Sequence, residues 1–393
     1  MDTTEIRFMT YILIATSTSD YTLRNITELE KDEEQTSTKT FLPCKNPDNP
    51  IDEKTAKIVE RTLLTTVMTL LEIFGVSTNI INMAVFHRQG LRDRINLCLF
   101  SLALADCVFL LIIFAAKFHS FLGLFDANLE EFWSQRYLNT LLGFVLGTMN
   151  ISNTVTAIIS VERCICVLSP FIAKKFLKTR YMAILIIVMS IYILGFYSLL
   201  NMKYVTVYVT DPVSKQSHWT SRLSSFYTND RVVIDILYNH LLSLTIPCLS
   251  LGVVVIATII IALRLRATLA WRQETANVKT MSSKMTGEKK EAAVTKMLVV
   301  VCVVYLTCIS LSVTQAFFRT LWPDYLPSGK LCSTFIIGQT LGHTFEVTNS
   351  SVTFVIYYSM GTKFRKEVKE IFCRQTKPVQ PAKTFSTSMS SVQ

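Results

Sequence analysis

Seven long, mostly apolar stretches constrain this chain more than any other feature. They run over approximately 60–86, 95–117, 137–167, 180–200, 232–263, 293–318 and 333–358. Roughly 20 such residues are enough for a helix to cross a bilayer. A helix is the form such a lone segment takes in lipid, because it satisfies its own backbone hydrogen bonds. The fourth stretch is the shortest, and the third and fifth outlast a bilayer and should tilt or protrude. Charge supports this reading: 17% of residues are charged and the mean hydropathy is +0.38, against about a quarter charged in soluble chains. The net charge of +10 is spread over short connections rather than one patch. That pattern marks membrane topology, not nucleic-acid binding.

The basic residues orient the bundle. Arg88, Arg92, Arg94, Lys174, Lys175, Lys178 and Arg180 share one side with eight basic residues from Arg264 to Lys296 and seven beyond Met360. The opposite connections hold Arg136, Lys203, Lys215, Arg222, Arg231, Arg319 and Lys330. The richer side is cytoplasmic, so an odd number of spans puts the N-terminus outside the plasma membrane and the C-terminus inside. Residues 1–57 agree: they are polar, with an acidic cluster at Glu28, Glu30, Asp32, Glu33 and Glu34, and carry the glycosylation sequon Asn25-Ile26-Thr27. Matches at Asn150 and Asn349 fall inside spans. Phe8–Ala15 resembles a weak signal-peptide core, but Asp2 and Glu5 stand where a positive flank is expected.

Two further elements follow from pattern. Tyr204–Thr210 alternates β-formers and precedes Asp211-Pro212, which predicts a hairpin over the outer mouth, with an irregular loop as the alternative. Beyond the seventh span, Phe364, Val368, Ile371 and Phe372 fall on one face of 361–373, opposite a basic face. This predicts an amphipathic helix on the inner membrane surface, with Cys373 placed for palmitoylation. Residues 374–393 are rich in Ser and Thr and read as a disordered cytoplasmic tail. The fold expected is thus an all-α membrane protein: a seven-transmembrane bundle over 58–360 with an amphipathic eighth helix.

Polar residues inside spans are costly and call for a reason. Here they resemble those of rhodopsin-like (class A) G-protein-coupled receptors over roughly 58–373. Gly75-Val76-Ser77-Thr78-Asn79 matches an intramembrane Asn, and Asn96…Leu102-Ala103-Leu104-Ala105-Asp106 matches the second-span signature closely. Ser160-Val161-Glu162-Arg163-Cys164 is a variant of the acidic-Arg-Tyr triplet, followed by Pro170 and Phe171. Pro247 matches the fifth-span proline, and Asn349-Ser350…Thr353-Phe354…Tyr357 varies the seventh-span motif. Phe364 falls where the family begins its eighth helix. Departures are a sixth span reading Tyr305…Cys308-Ile309-Ser310-Leu311 without Trp or Pro, Val255 in place of an inward Tyr, and no Cys at the start of the third span or in 201–231. The family's usual disulfide therefore cannot form. The chain resembles divergent members, among them chemosensory receptors of gastropod molluscs and invertebrate peptide receptors.

The resemblance implies a switch in which Arg163, beside Glu162, is held by a carboxylate at the inner end of the sixth helix; the register selects Glu291. The alternative is a solvated Glu291. It also implies that Asp106, Ser152, Asn349 and Ser350, with Thr353, line one mid-membrane cavity. A carboxylate with hydroxyl and amide oxygens suits an allosteric sodium ion, or else a protonated Asp in a water network. No other cofactor is expected. Val145 stands where amine receptors carry an Asp, which disfavours a biogenic amine. Lys117, Met149, Asn239, His240, Arg319, His343 and Glu346 are the remaining candidates for a ligand pocket. A Lys opposite a Glu suits a doubly charged ligand, unless Lys117–Glu346 or Glu72–His343 are internal pairs. Of ten cysteines only Cys44 and Cys332 fall outside, which makes them a disulfide candidate.

The expected function is a receptor that binds an extracellular small molecule or short peptide and activates a heterotrimeric G protein, with arrestin a further partner. The alternative is a small-solute transporter, but no internal repeat is visible. No nucleophile–base or metal motif supports an enzyme.

Overall fold

The structure, a computed structural model, describes residues 49–118, 122, 125–210, 217–275, 284–322, 324–325 and 329–373. Within these, the side chains of Asn239, His240, Glu291 and Cys373 lie outside the described set. So do Asn25, Cys44, Asp211, Pro212 and the whole of 374–393.

The chain runs α1 (Glu53–Gln89), α2 (Arg94–Lys117), α3 (Ala127–Leu168), α4 (Pro170–Phe176) and α5 (Thr179–Met202). The hairpin β1 (Tyr204–Thr210) and β2 (Ser217–Leu223) and the short α6 (Ser225–Asn229) follow. Next comes α7, built from Arg231–Asp235, a π-helical stretch Ile236–Thr245 and Ile246–Thr275. The chain ends on α8 (Lys284–Leu321), α9 (Cys332–Met360) and α10 (Thr362–Cys373). Local chemistry sets the starts. Asp52 Oδ2 accepts from Thr55 N at 2.9 Å, Asp93 Oδ1 from Ile95 N at 3.3 Å, and Asp126 Oδ1 from Asn128 N at 2.8 Å, each filling an otherwise unpaired first-turn donor. Gly90, at φ 96°, ends α1 in a conformation that only glycine adopts without strain.

The seven long helices close a ring. α1 packs on α2, α2 on α3, and α3 on both α5 and α7, while α8 joins α7 to α9 and α9 returns to α1. α3 therefore runs through the middle. At Gly143 its backbone meets the Tyr197 carbonyl of α5 so closely that a Cβ would collide. Among the described residues six helices are apolar enough to cross a membrane by length and composition; α9 is not among them. Its 29 residues suffice in length. Its lower hydropathy comes from polar side chains turned into the bundle, among them Gln339, Thr344, Glu346, Asn349 and Ser350, all buried. Outward positions are apolar instead: Leu70, Ile73, Ile191 and Leu249 are more than half exposed, as a lipid-facing surface requires.

Element by element, the expected spans hold. The fourth of the long helices, α5, is 24 residues long, the same as α2, and α3 extends to 42 residues. The first begins at Glu53 rather than 60, drawn out by the Asp52 cap. The hairpin forms in register, from Tyr204 opposite Leu223 to Thr210 opposite Ser217. It rests on α3: Ser221 Oγ donates to Gln135 Oε1 at 2.8 Å and Trp219 meets Phe132 edge-on at 4.9 Å. At its base Lys203, 1% exposed, lies 4.4 Å over the Tyr227 ring. These contacts hold the loop where a disulfide to the third helix is impossible. α10 buries Phe364 and Val368 against the bundle, while Phe372 of the expected apolar face is exposed.

Candidate functional site

Three polar centres lie along the bundle axis. At the hairpin end is a cavity of about 80 Å³. Arg319 and Ser312 reach it from α8, His343 and Glu346 from α9, Met149 and Asn150 from α3, and Pro247 from α7. Glu346 is 4% exposed and lies 3.1 Å from His343 Nδ1. Arg319 Nη2 donates to Ser243 Oγ at 2.6 Å. Nearby, outside the spans, burial pushes the Tyr325 phenol up to about 12, so it stays protonated and donates to Gln315.

Met149, Arg319, His343 and Glu346 were expected here and are brought together. Lys117 and Val145 are not among the lining residues. Lys117 turns to α1, where its ammonium meets Glu72 Oε1 at 2.8 Å and the Leu64 carbonyl at 3.1 Å. Leu64 belongs to a π-helical stretch, Thr62–Met68, a geometry that changes which carbonyls are available to a neighbour. A buried ammonium needs a carboxylate at contact distance, and Glu72, 1% exposed, is the one in reach. The two internal pairs considered from sequence are thus exchanged: Lys117 takes Glu72, and His343 takes Glu346. Val145 packs with Met68, Phe109 and Leu110 instead.

The second centre is mid-bundle. Asp106, 1% exposed, accepts on Oδ1 from Ser152 Oγ at 2.5 Å and Ser350 Oγ at 2.9 Å. One carboxylate and two hydroxyls suit a monovalent hard cation; calcium would call for more oxygen ligands. No group of three His, Cys, Asp or Glu side chains able to hold a metal occurs among the described residues. Asn349 and Thr353, also expected here, are both buried. Among the described residues no hydrogen bond joins Asn349 to Asp106, and Thr353 Oγ1 instead accepts from Asn82 of α1 at 3.4 Å. With no amide at 353, its short hydroxyl is taken by the adjacent helix. Asn79 Nδ2 donates to the Ser350 carbonyl at 2.8 Å and Ser351 Oγ to the Leu71 carbonyl at 2.9 Å, so α1 and α9 are joined through this layer. The role of Asn82 was missed, although it lies one turn after Asn79.

The third centre is at the opposite end. Glu162, 1% exposed, accepts from Arg163 through both carboxylate oxygens, from Nε and, at 2.7 Å, from Nη2. Arg94 also approaches Glu162, at 3.8 Å, and donates through Nη1 to the carbonyls of Ala173 and Leu177, each at 2.9 Å. Sequence reading used Arg94 only as a topology charge. It ties the start of α2 to α4, which presents Phe171 at 89% exposure beside Pro170. Tyr357 is buried between Phe86, at 5.4 Å, and Phe364, at 5.7 Å. Cys332 is disulfide-bonded, and Thr334, two residues on, donates to Asn49 Oδ1 at 3.1 Å.

A closed ring of seven helices with buried polar layers, a cavity at one end and an Arg–carboxylate pair at the other defines a serpentine membrane receptor of the G-protein-coupled class. A family model described as serpentine type 7TM GPCR chemoreceptor Srw matches residues 66–375, most of the chain. The protein belongs to that family. No curated protein matches the chain. A divergent G-protein-coupled-type receptor, as expected from the sequence, is therefore borne out, and the chain is a GPCR-like chemosensory receptor of a receptor family rather than an enzyme family.

Proposed function

We propose that this chemoreceptor sits in the plasma membrane with its N-terminus outside, binds a small ligand in the hairpin-end cavity, and activates a heterotrimeric G protein at the opposite end. The observation that carries the reading is the axial arrangement: cavity, Asp106 layer and Glu162–Arg163 pair lie in order along α3. A ligand that prefers one packing of α8 and α9 shifts the population of the other end. Arg163, released from carboxylates, would meet the G protein beside Phe171. In the resting state Glu291 shares in holding Arg163, and sodium at Asp106 braces the bundle. Asn25 carries glycan, Cys373 carries palmitate, and the phosphorylated tail recruits arrestin.

Cys44 is the partner of Cys332 in this account. Seven other cysteines are free, and the Asn49–Thr334 bond brings the chain five residues after Cys44 to the start of α9. Non-reducing peptide mapping of surface receptor should recover the Cys44–Cys332 peptide pair; a free Cys44 thiol removes it.

The test of the function is resonance energy transfer between Gα and Gβγ in cells expressing the receptor, challenged with amino acids, short peptides and tissue extracts. Dissociation is expected with at least one stimulus and one Gα class, and Arg163→Ala should abolish it at equal surface expression. A response unaffected by Arg163→Ala would overturn the coupling route.

A further inference from the structure

The chemistry of the hairpin-end cavity is unusually polarised for its size. One wall, from α8, brings Arg319; another, from α9, brings Glu346. The neighbour of Glu346 is His343, which offsets the carboxylate only when the ring is protonated. Asn150 of α3 is 2% exposed and lines the same space. Its Nδ2 donates to the Leu146 carbonyl at 2.9 Å, while its Oδ1 is buried without a hydrogen-bond partner. The Ser312 hydroxyl is in the same condition. Buried polar atoms in native proteins are nearly always satisfied, so an orphan acceptor and an orphan hydroxyl in one charged cavity point to a ligand that supplies their partners.

We propose that the cavity binds a small zwitterion of the amino-acid class, with its carboxylate on Arg319 and its ammonium on Glu346 and Asn150 Oδ1. The proposal rests on the reading of this cavity as the receptor's ligand site. Size favours a free amino acid over a peptide. A cavity of about 80 Å³ has room for on the order of five to eight waters, and so for a molecule of roughly that many non-hydrogen atoms. Apolar positions around the charges, Leu146 and Val313, would contact a short aliphatic chain. A simple amine would use only the Glu346 side of the cavity, and a simple acid would face Glu346.

The test is direct binding to the purified full-length receptor in lipid nanodiscs. The probes are glycine, β-alanine, 4-aminobutyrate, 5-aminovalerate and L-valine, each beside its methyl ester and its N-acetyl derivative. At least one parent compound should bind, and blocking either charge should weaken it roughly tenfold to a hundredfold, the range for a lost hydrogen bond to a charged group. Glu346→Gln should remove the preference for a free ammonium and Arg319→Gln the preference for a free carboxylate. Ser312→Ala is a milder variant should either fail to fold, and should still weaken the parent compound. Binding of no probe, equal binding of parent and blocked forms, or tighter binding of a dipeptide would overturn the proposal. Binding of a probe that leaves G-protein turnover unchanged would overturn the signalling role of the cavity while leaving the zwitterion assignment standing. A non-zwitterionic agonist whose action is lost in Met149→Trp would do the reverse.

Discussion

The two ends of this bundle are held by different means. From mid-bundle toward the connections rich in Lys and Arg, α1, α2, α3 and α9 hold side chains that the sequence resemblance singled out: Asn79 to Ser350, Ser152 and Ser350 to Asp106, Arg163 to Glu162. At the hairpin end the fastenings belong to this chain: Lys117 to Glu72, Lys203 over Tyr227, Ser221 to Gln135. The difference teaches where each constraint comes from. In the proposed account the Glu162–Arg163 end meets a G protein and the hairpin end a ligand, and at the hairpin end local contacts stand where the sequence allows no disulfide to the third helix.

The comparison is broken most strongly at Lys117. Replacing it with Ala leaves Glu72 buried and unpaired, at a cost of about 3–5 kcal/mol. Thermal unfolding of the purified receptor should show a large loss, and the apolar pair Lys117→Met with Glu72→Leu should recover much of it. An unchanged melting temperature for Lys117→Ala would show that this pair does not hold the hairpin end.

Lys203 comes next. A desolvated cation–π contact contributes about 2 kcal/mol, so Lys203→Met should destabilise by about that amount and raise amide exchange in β1 and β2. Unaltered exchange there would mean that Gln135 and Trp219 suffice to hold the hairpin.

A smaller effect is expected at Asp106. Sodium is proposed there to favour one packing, and coupling of this kind spans about 1–3 kcal/mol. With no hydrogen bond from Asn349 to the carboxylate among the described residues and Thr353 engaged by Asn82, the expectation is about 1 kcal/mol, or roughly fivefold in agonist affinity. Replacing sodium with a bulky organic cation at constant ionic strength should strengthen agonist binding in the wild type and not in Asp106→Asn. Equal affinities in both salts for both proteins would leave Asp106 as a protonated member of a hydrogen-bond network.

How much was legible in the sequence follows the same division. Span length and charge bias reveal the seven helices, and Asp106, Ser152 and Ser350 are found because their spacing matches a recurring pattern. The hairpin is legible because Tyr204–Thr210 alternates with period two. Lys117 was misplaced because sequence places it at the outer end of a span but not which neighbour its long side chain reaches. The answer depended on the π-helical stretch Thr62–Met68, which no residue pattern announced. Arg94 was counted as a surface charge since its partners are the carbonyls of Ala173 and Leu177, and backbone acceptors leave no trace in sequence. Asn150 entered the sequence reading only as a sequon match inside a span, although a buried Asn on the central helix was the signal for the cavity wall.

The central claim is that the Glu162–Arg163 end is a switch rather than a structural pair. Guanine-nucleotide exchange on reconstituted G protein, without ligand and at matched receptor amounts, tests it most directly. Glu291→Ala should raise basal exchange severalfold, because it removes the carboxylate proposed to share in holding Arg163, and adding Arg163→Ala should return exchange to background. Basal exchange that is the same in wild type, Glu291→Ala and the double variant would contradict the account.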